Sequence, residues 1–118
     1  MNKTIIIAEA GINHNGSVRL ARKLIDVGCH AGADIVKFQT YNTDKMVTKS
    51  APKANYQKNS NVKETQYELL KKLEFNHNTF RIISSYCLKR KIEFLSTAFD
   101  IESVKFLKSL SQKRYKIP

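Results

Sequence analysis

At 118 residues the chain has material for one small domain around one core, and is short for any fold that closes a large parallel barrel. Its formal net charge is +11, from 21 Lys plus Arg against 10 Asp plus Glu, which suits an anionic partner, surface or substrate. No apolar run approaches a membrane span, and the first, interrupted by Glu9, does not read as a signal peptide, so a cytoplasmic protein is expected.

The basic residues are spread along the chain, with mild clusters at Lys89-Arg90-Lys91 and Lys113-Arg114, and no nucleic-acid-binding motif accompanies them. Most of this charge reads as solvated surface, with the remainder free to draw in an anion. Cys29 and Cys87 fall within helical patterns and read as buried free thiols. His14, His30 and His77 lack the spacing that would join them to a zinc site.

Residues 4–9 form an apolar, β-branched run that ends on the carboxylate of Glu9, and read as a buried strand. A polar turn follows through Gly11, Asn13, His14, Asn15 and Gly16. The spacing of Val18, Leu20, Ala21, Leu24, Ile25 and Val27 predicts a helix over Val18–His30, with Ser17 as its N-cap and Gly28 and Gly32 weakening its end. Residues 34–40 read as the second strand. Lys37 and Gln39 alternate with Val36 and Phe38, so they share one face, which is unusual for an otherwise buried strand.

Residues 41–63 show no sustained period and contain Pro52; they read as a long loop with room for a short helical turn, placed to cover a substrate. Helices are expected over 64–73, over 79–89 with Asn78 as cap, and over 101–110. Strands are expected over 92–97 and 114–117. Alternating strands and helices predict an α/β fold with a parallel sheet and right-handed crossovers.

Glu9, Lys37, Thr97 and Lys116 lie at or near the C-terminal ends of these consecutive strands, where ligands gather in parallel sheets. Two lysines facing one space repel unless an anion lies between them, and a carboxylate beside them can orient a substrate or move a proton. Each residue alone has a plainer reading: an inter-strand ion pair for Glu9 and Lys37, a strand former for Thr97, a surface lysine for Lys116. Together they point to a polyanion site suited to phosphate. Asn13 and His14 sit in the turn beside Glu9, either as turn formers or as substrate contacts.

Five motifs in register resemble the sialic acid synthase family: Ala8-Glu9-Ala10-Gly11-Ile12-Asn13-His14-Asn15-Gly16, Val36-Lys37-Phe38-Gln39-Thr40, Ala51-Pro52-Lys53-Ala54-Asn55-Tyr56-Gln57, Phe94-Leu95-Ser96-Thr97-Ala98-Phe99-Asp100 and Tyr115-Lys116-Ile117-Pro118. The bacterial N-acetylneuraminate synthases fit best, and legionaminate synthases share most of the same motifs. The resemblance implies the N-terminal half of a TIM (β/α)8 barrel, a partial domain over residues 1–118 that stops after the fourth strand. It implies condensation of phosphoenolpyruvate with N-acetylmannosamine: C3 attacks the open-chain aldehyde, water adds at C2, and phosphate leaves by C–O cleavage.

Carried over by motif, Glu9 would be the catalytic acid/base or water-orienting group. Lys37, Thr97 and Lys116 would hold phosphoenolpyruvate, Gln39 would face the N-acetylated amino sugar, and Asn13 and His14 would contact substrate. A divalent Mn²⁺ or Mg²⁺ would polarise the aldehyde, with its ligands beyond this chain, and a homodimer is expected of the full-length enzyme. Ala98 stands where the family commonly has proline. The family continues past the position of Pro118 with four more strands and an antifreeze-like domain, so the chain is expected to be a fragment, inactive and poorly stable alone. A legionaminic acid precursor is the alternative sugar. A non-catalytic basic anion-binding protein is the alternative of another class, marked by salt-dependent binding to nucleic acid.

Overall fold

Three parallel strands, β1 (Ile7–Gly11), β2 (Ile35–Thr40) and β3 (Glu93–Ala98), form one sheet in the order β1-β2-β3. The computed structural model describes residues 2–50, 52 and 64–118. Helix α1 (Val18–His30) joins β1 to β2, and α2 (Thr43–Met46), α3 (Gln66–Leu73) and α4 (His77–Lys89) lie between β2 and β3. Helix α5 (Ile101–Ser109) follows β3. This is the α/β arrangement of the opening units of a TIM barrel, with three strands where the sequence pattern predicts four.

Side-chain alternation divides the sheet into two unlike faces. Ala10, Val36, Phe38 and Phe94 turn toward the helices and join Ala21, Ile25, Phe80, Ile83, Cys87, Phe106 and Leu107 in one core. Phe80 is central, its ring centroid 5.8 Å from that of Phe75, 6.3 Å from Phe94 and 6.5 Å from Phe106. Glu9, Lys37, Gln39, Leu95 and Thr97 occupy the other face, as the register pairs Glu9 with Lys37, Lys37 with Leu95 and Gln39 with Thr97.

Helix α1 starts where expected, with the Ser17 hydroxyl accepting from the Leu20 amide at 3.3 Å. Gly28 lies inside this helix rather than weakening its end. It is buried, and a methyl there would stand 3.5 Å from Ala8 Cβ, so it lets α1 approach β1 closely. Gly32 takes the left-handed φ of +79° that carries the chain on from the helix. The short α2 falls within the segment read as a loop, and Asn42 caps it. Residues 41–42, 47–50 and 52 of that loop lie outside helices and strands, and residues 51 and 53–63, with all but Pro52 of the motif that starts at Ala51, lie outside the described residues.

Four expectations are corrected. The first strand begins at Ile7, because Ile6 is used by the turn before β2: its amide donates to Asp34 Oδ2 at 2.9 Å and its carbonyl accepts from the Asp34 amide at 2.9 Å. Helix α4 begins at His77 with Asn76 as cap, accepting from the Thr79 amide at 2.8 Å, while Asn78 accepts from Arg81 instead. Cys29 is half-buried and donates to the Arg90 carbonyl at 3.8 Å, whereas Cys87 is the buried thiol.

The fourth strand is absent among the described residues. The Gln112 side chain takes the place of a pairing backbone, with Oε1 accepting from the Ser96 amide at 2.8 Å and Nε2 donating to the Ser96 carbonyl at 3.1 Å. Beyond it, Arg114 bridges to both Glu93 oxygens at 2.6 and 2.5 Å, and residues 113–118 form no ladder with β3.

Candidate functional site

The face away from the helices carries a cleft of about 400 Å³ lined by Ile7, Glu9, Lys37, Leu95, Arg114, Tyr115 and Lys116. Strand register places Glu9 and Lys37 side by side, and the Lys37 ammonium sits 2.5 Å from Glu9 Oε2. Lys116 arrives from the C-terminal segment, outside any strand, and faces the same space. Three cations against one carboxylate give the lining a positive balance, and the Arg114 charge is already answered by Glu93.

Gln39 and Thr97 continue the same face toward the C-terminal ends of β2 and β3. Gln39 lies beside Glu9: a methyl added at Gly11 would stand 3.1 Å from Glu9 Oε1 and 3.8 Å from Gln39 Nε2. Thr97 is 2% exposed, and among the described residues its hydroxyl has no hydrogen-bond partner. A buried hydroxyl left without a partner is costly, and on a face with two lysines it is a donor in want of an acceptor.

The turn after β1 behaves differently. His14 is buried behind the sheet, stacked on Phe75 with ring centroids 3.8 Å apart, and 6.3 Å from the Phe38 ring. Its Nδ1 accepts from the Gly16 amide at 3.0 Å, and burial lowers its pKa from 6.5 to about 4, so it is neutral at physiological pH. Asn13 is exposed and closes the turn with its amide on the Ala10 carbonyl at 3.0 Å. The structure therefore brings Glu9, Lys37 and Lys116 to one cleft, with Gln39 and Thr97 along the same face, and leaves Asn13 and His14 outside it.

Sequence reasoning missed two contributors. Arg114 reads there as part of a surface cluster, yet it lines the cleft. Gly11 reads as a turn former, yet it ends β1 at a register shift, directly under the Glu9 carboxylate.

Residues 24–118 match the model of the NeuB family. The chain belongs to the NeuB family. It is 49% identical over 114 residues to an N,N'-diacetyllegionaminic acid synthase of Legionella pneumophila, covering 96% of this chain and 32% of that protein. It is 44% identical to the N,N'-diacetyllegionaminic acid synthase of Campylobacter jejuni, covering all of this chain and 36% of that protein. The solved N-acetylneuraminic acid synthetase of Leptospira borgpetersenii superposes with a TM-score of 0.77 at 30% identity, over 98% of this chain and 36% of that one. The chain thus spans about a third of the length of the relatives it matches.

The described residues bring no three His, Cys, Asp or Glu side chains together as a metal-binding group. Within the NeuB cleft the one carboxylate, Glu9, is paired with Lys37. One lysine-paired carboxylate is too few donors to hold a divalent cation by itself.

Proposed function

We propose that this NeuB-family chain carries the phosphoenolpyruvate-binding part of a nonulosonate synthase. The observation that carries the reading is one face of the sheet on which the Glu9–Lys37 pair, Lys116 and an unpartnered, buried Thr97 hydroxyl lie together. Lys37 and Lys116 supply the positive charge for the phosphate and carboxylate of phosphoenolpyruvate, and Thr97 donates a hydrogen bond to the same anion. Glu9 orients the water that adds at C2, or moves its proton, once C3 has attacked the sugar aldehyde. Gln39, beyond Glu9 on β2, faces the sugar side.

Two sugars are in question. The identities of 49% and 44% to diacetyllegionaminic acid synthases support an acetamido sugar that is the legionaminic acid precursor. The resemblance of the five motifs, and the likeness to the Leptospira synthetase at 30% identity, support N-acetylmannosamine.

The first test is a titration of the chain with phosphoenolpyruvate followed by NMR. Saturable shifts at Lys37 and Thr97 that vanish in Lys37→Met support the reading, and their absence in the folded wild-type chain rejects it. Phosphate release by the protein in its native form, with each sugar in turn, then decides between the sugars. Binding of nucleic acid with a steep salt dependence and no phosphoenolpyruvate binding would favour a non-catalytic anion binder.

A further inference from the structure

Glu9 is 47% exposed, and a carboxylate so open has several side-chain conformations available to it. Two features of β1 limit them. Register runs from Glu9 opposite Lys37 to Gly11 opposite Phe38, so β1 spends two steps where β2 spends one, and Ala10 is turned into the helix-side core at 3% exposure. Gly11 then adopts a φ of +55°, in the left-handed region that side chains disfavour.

Space at Gly11 is as particular as its backbone. A methyl there would stand 3.1 Å from Glu9 Oε1, closer than ordinary van der Waals contact, and 3.8 Å from Gln39 Nε2. Glu9 Oε2 is meanwhile held by Lys37 at 2.5 Å. With a side chain at position 11, the Glu9 carboxylate must give way by a few tenths of an ångström, against its bond to Lys37. Gly32 makes the contrast: its φ of +79° is equally left-handed, yet a methyl there would meet nothing within 4 Å.

We infer that Gly11 is a positioning residue for Glu9, through the register shift at the end of β1 and through the side chain it lacks. The consequence for ligands rests on the phosphoenolpyruvate reading above, whereas the positioning itself does not.

Gly11→Ala, Gly11→Asn and Gly32→Ala separate backbone strain from crowding at the carboxylate. Asn tolerates the left-handed backbone far better than Ala and still adds a Cβ, so it is read where Gly11→Ala does not fold. The melting temperature, the Glu9 carboxyl ¹³C and Lys37 Nζ ¹⁵N resonances, and the dissociation constant for phosphoenolpyruvate are measured on each full chain. Gly11→Ala and Gly32→Ala are expected to lose similar thermal stability, a few degrees each. Only the Gly11 variants should displace the Glu9 and Lys37 resonances, with phosphoenolpyruvate binding weakened about tenfold. Unmoved resonances in a folded Gly11 variant, or equal displacement in Gly32→Ala, would overturn the inference. A selective displacement in a chain whose wild type binds no phosphoenolpyruvate would uphold the positioning role and reject the ligand reading.

Discussion

Lys37 and Glu9 meet across the β1–β2 ladder at 2.5 Å, and they are unequally covered, the lysine side chain 18% exposed and the carboxylate 47%. The ammonium is the more covered partner, and the carboxylate is the one with an open side. A pair this wet contributes about 1 kcal/mol or less to stability, so its substitution reads mainly on ligands. Lys37→Met is expected to weaken phosphoenolpyruvate binding at least about tenfold, with a melting temperature close to wild type. Glu9→Gln should retain binding and, in the native form of the protein, lose turnover. Calorimetric titration and a phosphate-release assay distinguish the two.

Thr97 separates stability from function. Its hydroxyl is buried with no partner among the described residues, so the folded chain bears the desolvation cost of a donor that makes no bond. Thr97→Val is therefore expected to stabilise the chain by about 1 kcal/mol in urea unfolding, and to weaken phosphoenolpyruvate binding. A loss on both counts would place the hydroxyl in the structural framework instead.

His14 gives the chain a pH dependence of definite sign. Its pKa falls from 6.5 in the unfolded chain to about 4 in the fold, because burial disfavours the imidazolium. Between these values the unfolded state holds more protons. The stability that His14 allows is therefore full above pH 6.5 and is lost as pH falls toward 4, by about 3 kcal/mol in all. Urea unfolding at pH 7 and pH 5 measures the effect. His14→Phe, which retains a ring against Phe75, should flatten the profile over this window.

Phe80 anchors α4 against β3 and α5 from a fully buried position, with three aromatic rings around it. Phe80→Ala is expected to cost about 3–5 kcal/mol, enough to unfold a small domain of ordinary stability. Loss of the cooperative urea transition, followed by far-ultraviolet circular dichroism, is the readout.

The helices and the split of the sheet into two faces were legible because they follow from side-chain periodicity. The stripe from Val18 to Val27, with Ser17 before it, marks α1, and the alternation of Lys37 and Gln39 with Val36 and Phe38 identifies the polar face. What sequence could not show depends on hydrogen bonds between distant residues. Asp34 takes the Ile6 amide and so delays β1, and Gln112 occupies Ser96 where the Arg114-Tyr115-Lys116-Ile117 run suggests a strand. Asn78 reads as the cap of α4, but the Thr79 amide goes to Asn76 and Asn78 is taken by Arg81. His14 in a polar turn reads alike whether it faces a ligand or the core; the Phe75 ring that decides the matter lies 61 positions further along the chain.

The amide of Gln112 has a consequence for how this chain meets other chains. It satisfies both backbone polar groups of Ser96 on the outer side of β3, so at that rung an incoming strand would compete with bonds already made. The exchange rate of the Ser96 amide proton then measures how often the Gln112 side chain lets go of β3.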